Sequence, residues 1–553
     1  MAKDNESKAP RPYRSRYLDD QSISHSGDSH YPEKGDSSLD SKDVKQDGPI
    51  REGIGDIAKE QDVDLESQQP LEKLGAAGSN TPQQDSKLVT WDGPNDPEKP
   101  KNWPSSRKWS VMLIVSLYTF ISPVSSTMVA PALTYIGDDF NIKSEVLLEL
   151  TLSIFILAYA IGPLFLGPLS ETYGRAIVLQ LANLFYLAFN IGCGFSQSKG
   201  QIIAFRFLSG LGGSVPLAVG GGVLGDCFTA EERGKAMAVF SLAPLLGPAI
   251  GPIVGGFISE NTTWRWVFYA TSIATGVIQI AGLFLLHETY APRILKVRAK
   301  RLRKNSGDHS YQTEEERQNK TLSQSFQMSL VRPFRLLFTQ PIIQVLALYM
   351  AYIYGLMYLM LSTFPSLWTD PNYYGESTGI GGLNYISLGL GSFLGAYLCA
   401  FLNDCFYRHF KARNNDIGKP EFRVPLLAVT AIVVPAGLFI YGWTAQTHQH
   451  WIAPNIGTCL FAVGNIITFQ CMQTYTVDAY TKYAASAMAA VSVLRSLAAF
   501  GFPLFAPYMY DALDYGWGNS LLAFIAIGIG IPAPFLLWKF GEKLRRASPY
   551  ATG

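Results

Sequence analysis

From about Trp109 to its end the chain is a succession of apolar runs, each about 20 residues long, enough to cross the hydrocarbon core of a bilayer as a helix. About twelve such runs are legible, centred near Ser116, Phe155, Phe185, Pro216, Pro248, Ile278, Tyr354, Phe393, Val434, Gly464, Leu494 and Ile527. The ninth and twelfth are the weakest by proline content. The expected fold class is therefore all-α integral membrane. The hydrophobic fraction of 48% understates this, because a polar amino-terminal tail dilutes it.

A net charge of +1 says little, since in a membrane protein the placement of Lys and Arg carries the information. With a cytosolic amino terminus, the inside loops hold Arg175, then Arg233 and Lys235, then Arg408, Lys411, Arg413, Lys419 and Arg423, then Lys482, and last Lys539, Lys543, Arg545 and Arg546. The outside loops hold only Lys143, Lys199 and Arg265. This asymmetry places both termini in the cytosol after an even number of crossings. Asn261-Thr262-Thr263 is a glycosylation sequon in the expected outside loop between helices five and six, close to the membrane. The six cysteines have no paired spacing and read as small packing residues, not disulfides or metal ligands. The polar, charged start shows no cleavable signal peptide, so the first crossing is expected to direct insertion.

Residues 1–88 are rich in Ser, Asp, Lys, Gln, Pro and Gly and read as a disordered cytosolic tail, with too little apolar surface to offset the entropy of ordering. Residues 89–108 form a cytosolic pre-helix segment, 109–287 a first bundle of six helices, 288–340 a cytosolic linker, 341–540 a second bundle of six, and 541–553 a cytosolic tail. The linker opens with a basic run from Arg293 to Lys304 immediately beyond a helix, suited to anionic lipid headgroups or to a solvated, orienting role. A faint repeat links the halves: Gly395 to Arg408, after helix eight, stands where Gly167 to Arg175 stands after helix two, and both pass from small residues through an acid to an arginine.

Residues 247–256 read Gly-Pro-Ala-Ile-Gly-Pro-Ile-Val-Gly-Gly. Gly247, Gly251 and Gly255 recur every four residues and form a stripe for backbone-to-backbone helix packing, while Pro248 and Pro252 interrupt the same helix; Gly256 closes the string. Bare Gly-xxx-Gly serves ordinary packing. The full string resembles the antiporter motif in the fifth helix of proton-coupled drug exporters of the major facilitator superfamily. Gly167-Pro168-Leu169-Ser170-Glu171-Thr172-Tyr173-Gly174-Arg175 resembles that superfamily's signature between helices two and three, with Glu171 where Asp is usual. A short loop with glycines at its ends and an acid and a base close together suits a conformational gate made of Gly167, Glu171, Gly174 and Arg175, or a plain tight turn. Arg206, early in helix four, matches the family's arginine associated with proton coupling. A cation in hydrocarbon costs about 2.5–3.5 kcal/mol on insertion scales, so it either faces protein or water with a partner or snorkels to the surface.

The flanks narrow the resemblance. Trp91-Asp92-Gly93-Pro94-Asn95-Asp96-Pro97-Glu98-Lys99-Pro100-Lys101-Asn102-Trp103-Pro104, Glu288-Thr289-Tyr290-Ala291-Pro292 and Pro420-Glu421-Phe422-Arg423 look like the fungal twelve-helix drug:proton antiporter family, DHA1. The resemblance runs from about residue 90 to the carboxyl terminus and implies two six-helix bundles rocking about a central site. One departure stands out: many such exporters carry an acid in helix one, and Trp109 to Ala132 has none. The proton carrier is then sought at Glu149, Asp226 or Glu288, since a carboxylate in a low-dielectric cavity can load and release protons near neutral pH; all three also suit interfacial roles.

Helices seven and ten are rich in aromatic and amide side chains, which suits a cavity for bulky amphipathic compounds as well as ordinary packing. Tyr354, Tyr358, Asn465, Phe469 and Gln473 are the candidates, with Arg495 of helix eleven as an embedded cation that pairs with substrate or stabilises packing. The leading expectation is a proton-coupled exporter of small amphipathic drugs, toxins or secondary metabolites working by alternating access. Its partners are a small-molecule substrate, protons and membrane lipids, without nucleic acid, and it functions as a monomer. It is not an enzyme and takes no metal or cofactor, since the chain has no phosphate-binding glycine loop and no clustered His/Asp/Glu set with catalytic or metal spacing. The alternatives are transport of a polyamine or another physiological solute, and a non-transporting membrane sensor. The plasma membrane is the expected location, with the vacuolar membrane as the alternative.

Overall fold

The structure is a computed structural model that describes residues 87–317 and 322–551. The expected disordered tail lies outside the described residues except for its last two positions. Eleven helical stretches are long and apolar enough to cross a membrane, and the last of them runs 63 residues from Ala484 to Arg546. At ~1.5 Å per residue it would be roughly three bilayer cores long if straight. It is two crossings: Asp514, with φ 52° and ψ 179°, breaks the helix between them.

Counted this way the spans are α1 (Ser105–Thr127), α2 (Glu145–Tyr173), α3 (Arg175–Gly194), α4 (Lys199–Cys227), α5 (Ala230–Asn261), α6 (Arg265–Leu285), α7 (Pro341–Thr369), α8 (Tyr385–Arg413), α9 (Val424–Gln446), α10 (Ile452–Ala479), α11 (residues 484–513) and α12 (residues 515–546). Every expected centre falls inside one of them. The outward faces carry apolar side chains that water would reject, among them Phe284, 75% exposed, and Val277, 64% exposed. Several polar side chains turned inward satisfy one another: Tyr118 and Asn183 both donate to the Gln279 carbonyl oxygen, at 3.0 and 2.7 Å, and Asn190 donates to Thr271 and Ser272.

The glycine stripe of α5 faces α1. A Cβ added at Gly247 would stand 2.7 Å from the Pro123 Cβ, one at Gly251 would stand 2.8 Å from the Val124 carbonyl oxygen, and one at Gly255 would meet the Met128 carbonyl. Gly256 faces another way, toward the Thr378 carbonyl at 2.7 Å. α5 is thus wedged between α1 and the short helix Thr378–Leu383 that precedes α8. Across the halves α5 also packs on α8, and α2 on the helical stretch that begins at Ala484.

Two local expectations differ from the structure. Gly167 to Tyr173 is not a loop but the last turns of α2; the chain turns only at Gly174, whose φ of 101° a side chain would strain. Gly395 to Arg408 likewise lies within α8, which runs unbroken to Arg413 because no residue there takes a positive φ. The basic run from Arg293 lies on helix Ala291–Ser306, and part of it is engaged within the protein: Arg298 pairs with Asp92 and Asp96, and Arg303 with Glu316. Asp96 organises the pre-helix segment by accepting from the Asp92 and Glu98 amides at 2.9 and 2.8 Å. The Asp92 amide first, and then the Arg298 guanidinium, hold its carboxyl down at about 2.

Candidate functional site

The loops joining α2 to α3, α4 to α5, α8 to α9 and α10 to α11 share one end of the molecule, here the basic end. A cavity of about 1090 Å³ lies between residues of the two halves of the chain. α1, α2, α4 and α5 contribute Pro123, Tyr159, Ser214 and Pro248, and α7, α8, α10 and α11 contribute Tyr354, Phe393, Phe469 and Arg495. It runs from Tyr159 and Tyr358 in the middle of the bundle to Gly167, Glu171 and Arg175 at the basic end. Its inner limit is a row of hydroxyls: Tyr159 hydrogen-bonds Ser122, and the Tyr358 and Ser126 oxygens stand 3.5 Å apart across the halves.

At the opposite end the halves touch. Glu260, in the last turn of α5, accepts from the Gly379 amide at 2.6 Å and the Ser377 hydroxyl at 3.1 Å. The Tyr135 and Thr378 hydroxyls add a 3.0 Å contact beside it. The arrangement closes one end of the central cavity and leaves the other to the basic end. Nothing in the sequence singles out Glu260, a single acid just before the sequon.

The expected gate residues lie at the cavity mouth, but their pairing differs from the reading of the motif as an acid and base in one loop. Arg175 Nε binds Asp226 Oδ2 at 2.6 Å, and no ion pair joins Glu171 among the described residues. Glu171 is exposed on the mouth. Glu288 completes the cluster by accepting from the Arg175 amide at 2.9 Å and from the Thr289 and Tyr290 amides at 3.0 and 2.9 Å. It caps the start of α3, where amides have no helical partner. A Cβ at Gly174 would fall on that carboxylate, a second reason for glycine there.

Of the carboxylates considered for the proton, Asp226 and Glu288 are therefore engaged in this cluster. Glu149 is not. It is 8% exposed in the first turns of α2, faces Ser362 of α7 and Tyr385 of α8, and its Oε2 has no hydrogen-bond partner among the described residues. Arg206 does not snorkel: it is fully buried and donates to four backbone carbonyls, Ser125 at 3.0 Å and Ser126 at 3.2 Å on α1, and Thr151 at 3.2 Å and Leu152 at 3.3 Å on α2. Its guanidinium also lies over the Phe155 ring at 4.5 Å. The residue clamps α4 to α1 and α2 with no carboxylate partner among the described residues.

Tyr354, Tyr358, Asn465, Phe469, Gln473 and Arg495 all line the cavity. Asn465 is partly committed, donating to the Ile353 carbonyl at 2.9 Å. Asn261 is exposed at the end of α5, and its amide donates to the Phe257 carbonyl at 2.9 Å.

Comparison with known proteins follows the same lines. The sequence model of the Major Facilitator Superfamily matches residues 115–503. The chain is 54% identical over 469 residues to "Efflux pump vrtL" of Penicillium aethiopicum, covering 85% of this chain and 92% of that one. It is 43% identical over 466 residues to "Efflux pump radE" of Floropilus chiversii, covering 84% and 86%. Among solved structures it resembles the partially occluded, inward-open xylose transporter XylE from E. coli, with TM-score 0.58 at 17% identity over 79% of this chain and 98% of that one. It also resembles a bacterial homologue of the human lysosomal transporter Spinster, with TM-score 0.59 at 14% identity over 81% and 100%. At these identities the two structures bear on the fold alone.

Proposed function

The chain belongs to the major facilitator superfamily and is a multi-pass membrane transporter, and from that premise we propose that it exports small amphipathic molecules in exchange for protons. The observation that carries this reading is the cavity between the halves, closed by Glu260 at one end and reaching Glu171 and Arg175 at the other. A carrier of this kind needs a central site that each end can reach in turn. The Glu260 contact supplies a lock between the halves at the closed end that must separate when they rock, while the Arg175–Asp226–Glu288 cluster ties helices of the first half together at the mouth of the open end. The efflux pumps among the relatives support the outward direction.

In this reading the basic end is cytosolic, the halves are the six-helix bundles on either side of the linker, and one chain is the working unit in the plasma membrane. Glu149 carries the proton, because it is buried between the halves with an oxygen to spare while Asp226 and Glu288 are spoken for. Protonation neutralises a charge that is costly to bury, so loading and unloading are coupled to which end is open.

The test is accumulation of a mixed panel of amphipathic compounds and fungal metabolites in inside-out vesicles, with and without an acidic lumen, read by mass spectrometry. Gradient-dependent accumulation that becomes gradient-independent exchange in Glu149→Gln is the expected result. A panel left outside at every gradient refutes export. Flux surviving deletion of the residues before Trp91 separates transport from a sensor, which needs its cytosolic segments and no flux.

A further inference from the structure

Arg206 and Arg495 both sit at depth in the helical bundle, and they are treated in opposite ways. Arg206 is enclosed and solvated by four carbonyls, so its charge is answered inside the protein. Arg495 stands on the cavity wall. Its guanidinium lies 4.7 Å from the Tyr354 ring and 5.4 Å from the Phe469 ring, and those two rings stack on each other with centroids 5.9 Å apart and planes 21° from parallel. Its Nε has no hydrogen-bond partner, and it forms no ion pair, among the described residues. Aromatic faces attract a cation and hold its plane in place, yet they supply neither a counter-charge nor an acceptor for its N–H groups.

The rest of the cavity leaves this charge unanswered. Among the described residues only two others that line the cavity are charged, Glu171 and Arg175; both stand at the mouth, and Arg175 is already neutralised by Asp226. The deep part therefore presents one fixed positive fork amid a wall that is apolar apart from uncharged amides and hydroxyls such as Asn465, Gln473 and Ser492, with the Tyr159, Tyr354 and Tyr358 phenols nearby. A cation in a membrane interior calls for a partner, and a planar guanidinium suits a two-oxygen anion best.

We propose that Arg495 is the recognition group for an anionic oxygen group, and that the cargo is a class of amphipathic organic anions: an aromatic or polycyclic body bearing a carboxylate, sulfonate or ionised phenol. This rests on the exporter reading above and deepens it. The apolar wall receives the body, and the clamped guanidinium receives the charge. Polyamines are disfavoured for the same reason, because their like charge would face Arg495. The direction also suits an anion, since outward movement of negative charge and inward movement of a proton both run down an inside-negative potential.

The test uses the full chain in nanodiscs, with empty nanodiscs as reference, and three probes on one scaffold: 4-(pyren-1-yl)butanoate, its amide, and 4-(pyren-1-yl)butylammonium. The carboxylate is expected to bind about ten- to a hundred-fold more tightly than the amide, the range for a charge-assisted hydrogen bond in a partly desolvated site. Arg495→Gln should bring the two to within about two-fold of each other, chiefly by weakening the carboxylate, and an unchanged melting temperature in the nanodisc shows the protein still folded. Arg495→Glu should turn the preference toward the ammonium. Equal binding of all three probes, binding of none, or a carboxylate preference that survives Arg495→Gln overturns the assignment. The same probes in proteoliposomes with a pH gradient separate the two readings. Gradient-driven uptake of the amide or ammonium but not the carboxylate retains the exporter and refutes the anion. Selective binding without flux refutes the exporter and retains the anion.

Discussion

Glu260→Ala should shift the transporter away from the state seen here. In this state Glu260 joins the halves through two hydrogen bonds, from the Gly379 amide at 2.6 Å and the Ser377 hydroxyl at 3.1 Å, and both must break for that end to open. A hydrogen bond to an ionised acceptor contributes about 1.5–3 kcal/mol when desolvated. Glu260 is exposed, so solvent reduces this, and the pair together is worth about 1–2 kcal/mol. That corresponds to a fall of about 5- to 30-fold in the ratio of closed to open at this end. Gln, which keeps an acceptor without the charge, should fall between the two. Spin labels at Thr262 and Asn372, both exposed at this end on different halves, report the separation by double electron–electron resonance once exposed Cys405 is replaced. An unchanged distance distribution in Glu260→Ala would refute the idea that this contact biases the equilibrium.

Three further outcomes follow from the packing. Gly251→Ile places a branched side chain where even a Cβ would stand 2.8 Å from the Val124 carbonyl, so α1 and α5 must separate; about 1–3 kcal/mol of stability should be lost, read as a lower melting temperature in detergent. Arg206→Ala removes the clamp on four carbonyls and leaves a cavity, which should destabilise the protein by about 2–4 kcal/mol, and Lys should rescue little because one ammonium cannot span carbonyls on two helices. The Thr151 and Leu152 carbonyls lie inside α2, but those of Ser125 and Ser126 lie in the last turn of α1, where carbonyls lack helical partners, so part of the loss comes from orphaned acceptors. Docking of the pre-helix segment depends on Asp96, whose carboxyl is lowered from 3.8 to about 2 in the folded protein. A depressed carboxylate stabilises above its unfolded value, so protection of residues 91–103 from pepsin should be constant down to about pH 4 and fall as the pH drops toward 2. Asp96→Asn should remove this pH dependence.

What the sequence determined by itself was set by short-range rules. Run length against bilayer thickness settles the number of crossings, and every centre read from apolar periodicity lies in a helix, including the two that a single helical stretch from Ala484 to Arg546 joins across Asp514. Glycine at every fourth position of residues 247–255 announces a close helix contact, because the spacing alone puts those residues on one face. The tight turn at Gly174 is legible for the same reason, although its extent is not: Gly167 to Tyr173 stays helical, since proline inside a membrane helix bends the helix without ending it.

Partnership was decided only by the tertiary structure. Arg175 meets Asp226, 51 positions away, not Glu171 four positions away, and Glu260 meets Gly379 across 119 positions. Which of two embedded arginines is answered inside the protein depends on how each helix is rotated about its axis, and no local pattern encodes that angle. Arg206 turns into the crossing of α1, α2 and α4, where carbonyls surround it; Arg495 turns onto the cavity wall between two rings. Electrostatic interaction energies change several-fold with a few ångströms and with burial. The chemistry of the site is therefore a property of the packed bundle, while its existence follows from the chain.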